Sequence, residues 1–136
     1  MKLRSAALTV ALSSGFALSA CGNGKTTSPT ATAATTPAAA LAEIPAVKAG
    51  LDQAVAQVRS GDGKTAEETV SQTYVDHFEK VEGPLGKVDP ALKEHLEEGI
   101  SIDLRKEISD GAPASQVGKH VKRIKADLDT AAGKLQ

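Results

Sequence analysis

Between Leu51 and Leu135 the large apolar residues return mostly every three or four positions, and no segment alternates with period two. That spacing belongs to a helix buried along one face; a half-buried strand would alternate. Leu51, Val55 and Val58 mark a first segment over about 44–59. Val70, Tyr74, Phe78 and Val81 mark a second over about 64–82. Leu92, Leu96, Ile100, Leu104 and Ile108 recur every four residues in a third, about 90–110. Val117, Val121, Ile124, Leu128, Ala131 and Leu135 alternate steps of four and three in a fourth, about 113–135. That alternation is bundle packing.

Turn chemistry separates the segments. Ser60-Gly61-Asp62-Gly63, Gly83-Pro84-Leu85-Gly86 and Asp110-Gly111 each interrupt a helical pattern. Pro45 fits the first turn of the first helix. Thr65 with Glu68 has the spacing of a capping box. Asp89 is a good N-cap, and Pro90 suits the first helical position. Loops this short place sequence neighbours antiparallel. The expected fold is all-α, an up-down antiparallel four-helix bundle over 43–136.

The chain ahead of the bundle is of another kind. Residues 22–42 read GNGKTTSPTATAATTPAAALA, with almost no large apolar side chain. Such a segment buries too little surface to offset its ordering entropy and is expected to be a disordered stalk over 21–42. Before it stand Lys2 and Arg4, an apolar run over 6–18, and the small residues Ser19 and Ala20. This is the layout of a cleaved signal peptide over 1–20. The run falls short of the roughly 20 apolar residues that span a bilayer. Cys21 is the only cysteine, so no disulfide can form within the chain. Leu18-Ser19-Ala20-Cys21 resembles the lipobox of bacterial lipoproteins. The resemblance implies a covalent lipid on Cys21 and a protein tethered to the extracytoplasmic face of the bacterial cell membrane.

Removing Lys2 and Arg4 with the signal leaves 14 bases against 17 acids, a net −3. Tyr74 and Phe78 are then the only aromatics. Without a basic excess or stacking side chains, nucleic acid is not an expected partner. Residues 62–110 hold 13 acids and 6 bases, whereas 111–136 hold 5 bases and 2 acids. Either these segments attract one another within the fold, or an acidic surface meets cations or a partner. No nucleophile motif, phosphate loop or dinucleotide fingerprint is present, so an enzyme is not expected.

Several polar residues fall where apolar ones are expected. With residues about 100° apart, Glu82 lies about 40° from Phe78 and Glu79 about 100°. Asp103 and Glu107 lie within about 20° of Leu96, mid-stripe. A carboxylate facing a core needs a partner, and an Asp103–His120 ion pair across the third and fourth helices supplies one. Glu107, nearer its helix end, reaches water. In the hairpin of the second and third helices, His77 stands level with Leu96 and beside His95. Glu79 and Glu82 form an ExxE, and His95 and Glu98 an HxxE. Imidazoles and carboxylates converging between helices make a metal site for a hard or borderline cation. The alternative is a set of solvated, helix-favouring charges.

Residues 73–111, TYVDHFEKVEGPLGKVDPALKEHLEEGISIDLRKEISDG, resemble a helical extracytoplasmic domain of bacterial iron permeases and imelysin-type iron-uptake proteins. The resemblance rests on Phe78, Glu79, Val81, Glu82, Asp89, Pro90, Leu92, Glu97, Leu104, Arg105 and Gly111. It implies a metal-binding accessory of uptake, iron being the cargo, with an iron permease or other uptake proteins as partners. The ligands expected are Glu79, Glu82, His77, His95 and Glu98. The other reading is a structural or interaction lipoprotein that presents an acidic face to a partner and binds no metal.

Overall fold

The structure, a computed structural model, describes residues 35–136. The expected signal peptide, Cys21 and the stalk as far as residue 34 lie outside the described residues. Among those described there are four helices and no strand. Helix α1 is Pro37–Arg59, α2 covers 63–88, α3 covers 90–109 and α4 is Ala114–Lys134. No described helix is long and apolar enough to cross a membrane.

Helix α1 starts earlier than the composition of the stalk suggests. Thr36 caps it, its hydroxyl accepting from the N–H of Ala39 at 3.2 Å, and Pro37 takes the first position. Alanine has the strongest helix propensity, so Pro37-Ala38-Ala39-Ala40 propagates readily once capped. Ala40 is fully buried. The bundle therefore claims six residues, 37–42, that were expected in the stalk, and Pro45 sits inside α1 rather than in its first turn. Gly61, at φ 87°, turns the chain out of α1.

Asp62, not Thr65, caps α2: its Oδ1 accepts from the N–H of Thr65 at 3.1 Å. The helix then runs through Gly83-Pro84-Leu85-Gly86, where a turn was expected, and stops at Val88. Pro84 forfeits one helical hydrogen bond, but Val81, Pro84 and Leu85 are all buried, which holds the helix on the core. Only Asp89 separates α2 from α3. Its Oδ1 accepts from the N–H of Leu92 at 3.0 Å, and Pro90 takes the first helical position, as the sequence predicts.

Each of α2 and α3 contains one π-helical turn, Tyr74–Phe78 and Gly99–Leu104. The buried positions explain them. A four-residue step in an α-helix advances about 400°, so a stripe built on such steps drifts by about 40° each time. Leu96, Ile100, Leu104 and Ile108 keep one face only because the wider π turn absorbs the drift. In α2 the buried set steps from Thr73 to Phe78, five residues and one π turn.

Helix α1 packs on α2 and α4, and α3 packs on the same two. Side-chain pairs set the register. Glu43 meets His77 and Gly50 meets Thr73 between α1 and α2. Glu67 meets Arg105 between α2 and α3. His95 meets Asp127, and Glu107 meets His120, between α3 and α4. Lys48 meets Asp129, and Asp52 meets Lys125, between α4 and α1. The core lies inside these seams. Leu51, Phe78, Leu85, Leu96, Ile100, Leu104 and Leu128 are its largest fully buried side chains. Burying one such side chain contributes about 1.5–3 kcal/mol. At Gly50 a Cβ would stand 2.1 Å from Thr73 Oγ1, so glycine is what lets α2 come this close.

Candidate functional site

The five expected metal ligands do not meet. His77 turns toward α1, where its Nδ1 lies 2.7 Å from Glu43 Oε2. Lys80 Nζ reaches the other oxygen of Glu43 at 3.2 Å. The hydrogen bond from His77, then that from Lys80, holds the Glu43 carboxyl below its usual range. His95 turns the other way, its Nε2 3.4 Å from Asp127 Oδ2 on α4. Glu79 and Glu98 are exposed, and neither forms an ion pair among the described residues. Among those residues no group of three or more His, Cys, Asp or Glu is placed to hold a metal ion.

The cause is the hand of the bundle. Helical spacing puts His77 and His95 on corresponding flanks of their stripes, and corresponding flanks of antiparallel neighbours face alike. Spacing does not say whether those flanks share the α2–α3 seam or point away from it. Here the opposite flanks share it, so Glu82, Lys93 and Glu97 line the seam and each histidine faces an outer neighbour.

That seam is a closed polar arrangement. The hydroxyl of Tyr74 donates to Glu82 Oε1 at 2.5 Å, and Lys93 pairs with Glu97. Burial first, then the bond to Glu82, then the charges of Glu97 and Glu79 push the phenol well above the ordinary tyrosine range. Arg105 Nη2 reaches Glu67 Oε1 at 3.1 Å at the lower end of the same seam.

The expected Asp103–His120 pair is also replaced. Asp103 is exposed. His120 Nδ1 instead meets Glu107 Oε2 at 2.7 Å. The projection that put both carboxylates mid-stripe assumed an unbroken α-helix; the π turn at Gly99–Leu104 intervenes, rotating Asp103 to the exposed wall of the α3–α4 cleft that His120 also lines and leaving Glu107 to bond His120. The partners Glu43, Tyr74 and Asp127 carried no motif. Their only signal was charge or hydroxyl chemistry beside a stripe, which becomes readable once the neighbouring helix is known.

Two surface features stand out. Among the described residues the exposed large apolar side chains are Val75, Val88 and Ile102, and two of these, Val75 and Ile102, lie inside the two π turns. On the same helices the exposed acids Glu79 and Glu98 stand one turn from Val75 and from Ile102 respectively, and Glu94 one turn further. Between α1 and α4 is a cleft of about 260 Å³ with Val55, Gly118 and Val121 on its floor and Arg59, Lys122 and the Asp52–Lys125 pair at its edge. No protein-family model, curated protein or solved structure matches this chain.

Proposed function

We propose that this chain is a lipoprotein, tethered through Cys21 to the extracytoplasmic face of a bacterial membrane, whose helical domain works by contact with a partner. In this reading the domain is an up-down antiparallel four-helix bundle; in the α1–α2, α3–α4 and α4–α1 seams the paired residue numbers rise on one helix as they fall on the other. The observation that carries the reading is the outer α2–α3 face. Val75 and Ile102 are 51% and 58% exposed, each one turn along its helix from a carboxylate, Glu79 or Glu98, that forms no ion pair among the described residues. An apolar centre with a charged rim is the composition of a contact surface. His77 and His95, by contrast, are engaged with carboxylates of separate seams.

The test is affinity capture from solubilised membranes of the source bacterium, using the full chain and a Val75→Asp/Ile102→Asp variant of equal helix content. Proteins that the parent retains and the variant loses support the reading. Identical sets from both overturn it. A Cys21→Ser chain, in turn, is expected in the soluble fraction; its staying with the membrane would remove the lipid anchor from the proposal.

The second reading is an accessory of metal uptake, iron by resemblance, without catalytic activity. It is favoured by one observation: Glu82 and Glu97 both lie in the polar α2–α3 seam, bonded to Tyr74 and to Lys93. Calorimetric titration of the metal-free chain with ferric, ferrous, zinc and cupric ions tests it, beside a Glu79→Gln/Glu82→Gln variant. Stoichiometric binding that the variant loses supports uptake; weak binding equal in both excludes it.

A further inference from the structure

We infer that the partner of the α2–α3 face is the α1–α4 cleft of a second copy of this chain, so that copies associate side by side. The inference rests on the contact-module reading and names its occupant. Since α1 and α3 each pack on both α2 and α4, the α2–α3 and α1–α4 edges lie on opposite sides of the bundle. They carry opposite charge. On the first, Glu79 stands one turn after the exposed Val75 on α2, and Glu98 and Glu94 stand one and two turns before the exposed Ile102 on α3. Arg59 and Lys122 edge the second and form no ion pair among the described residues, while Lys125 is matched by Asp52. The cleft is lined by Gly118, where an added Cβ would already touch Val55 Cγ1 at 3.7 Å, so the glycine leaves Val55 uncovered.

The two surfaces also stand at one level. Ile102 precedes the end of α3, at Ser109, by seven residues, and Lys122 follows the start of α4, at Ala114, by eight. The end of α3 and the start of α4 share one end of the bundle, joined by a short loop. A sideways translation, without rotation, therefore brings Ile102 of one copy opposite the cleft of the next. Copies anchored at their N-terminal ends to one membrane point the same way, which is the relation such a contact requires. A contact between unlike surfaces does not close on itself and repeats into rows. Complementary charge fixes its register and makes it sensitive to salt.

The experiment places a photoreactive phenylalanine analogue at position 102 of the full chain, purified in solution. It is irradiated at about 1 mM, a concentration that populates contacts of only about 4 kcal/mol. The expected product is a covalent dimer with the link mapped to 118–125 of the other copy, falling several-fold at high salt. Lys122→Glu should lose it, and Lys122→Glu combined with Glu98→Lys should regain it. Only monomer, or dimers linked elsewhere, would overturn the inference. Membrane proteins captured through the α2–α3 face alongside a strictly monomeric chain would overturn it too, while leaving the contact-module reading intact.

Discussion

Glu107 and His120 form the most enclosed carboxylate–imidazole contact among the described residues, 2.7 Å apart with side chains only 13% and 16% exposed. They tie the last turn of α3 to the first half of α4. Removing one partner of an enclosed polar pair strands the other, which costs about 1–3 kcal/mol. Glu107→Ala is therefore expected to lower the urea unfolding free energy by that amount. Asp103→Ala, on an exposed side chain, should change it by less than about 0.5 kcal/mol. The reverse order would mean that Asp103, which lines a cleft with His120, Arg123 and Asp127 of α4, holds α3 to α4 more firmly than Glu107 does.

Tyr74 is the only tyrosine and the chain has no tryptophan, so its titration is visible in ultraviolet absorbance without overlap. Burial and Glu82 raise the folded phenol above the unfolded value of about 10. The folded state then keeps a proton that the unfolded state releases. Stability from this group is complete below about pH 10 and falls as pH rises beyond it. The native chain should show little tyrosinate until well above pH 10, and Glu82→Gln should bring the transition down. Ionisation near the free-tyrosine value in the native chain would contradict the Tyr74–Glu82 bond.

Acid acts through the caps. Hydrogen bonds from Thr65 hold the Asp62 carboxyl below its usual range. The N–H of Leu92, and then Lys134, do the same for Asp89. Both folded values lie below the unfolded value of about 3.9. Their stabilisation is present above that pH and is lost as pH falls below it. Asparagine also caps helices, so Asp62→Asn/Asp89→Asn should keep the helices yet flatten the decline of melting temperature below about pH 4. Glu43, lowered by His77 and Lys80, keeps part of the slope in the variant. An unchanged slope would show that the two caps do not govern acid stability.

The stripes of α3 and α4 were legible in the sequence because their apolar side chains are large and regularly spaced: Leu96, Ile100, Leu104, Val117, Val121 and Leu128 are all buried. Asp89-Pro90 was legible because each residue has a distinct local role. The start of α1 was not, because Thr36-Pro37-Ala38 reads equally as linker composition or as a capped, alanine-rich helix, and only packing of Ala40 decides. Pro84 misled for a related reason: its local cost is outweighed by burial of Val81 and Leu85, which the local pattern does not contain. The separation of His77 from His95 was illegible on a different ground. His77 and His95 share a flank by spacing alone, but which neighbour that flank meets depends on the hand of the bundle.

The π turn in α3 makes a prediction about chain length. It holds one residue more than an α turn would, and the four-residue steps from Leu96 to Ile108 need that residue to keep their face. Deleting the exposed Ile102 converts the turn toward α geometry while Leu96 and Ile100 before it, and Ile108 after it, can stay near the core. In α4, which is α-helical throughout, deleting Lys125 rotates everything beyond it by about 100°. That carries Leu128, Ala131 and Leu135 off the core. The Ile102 deletion should keep its circular dichroism and a cooperative transition, with a loss of about 1–3 kcal/mol. The Lys125 deletion should lose cooperative unfolding altogether. Equal damage from both would mean that the π turn is required by something other than the spacing of the apolar stripe.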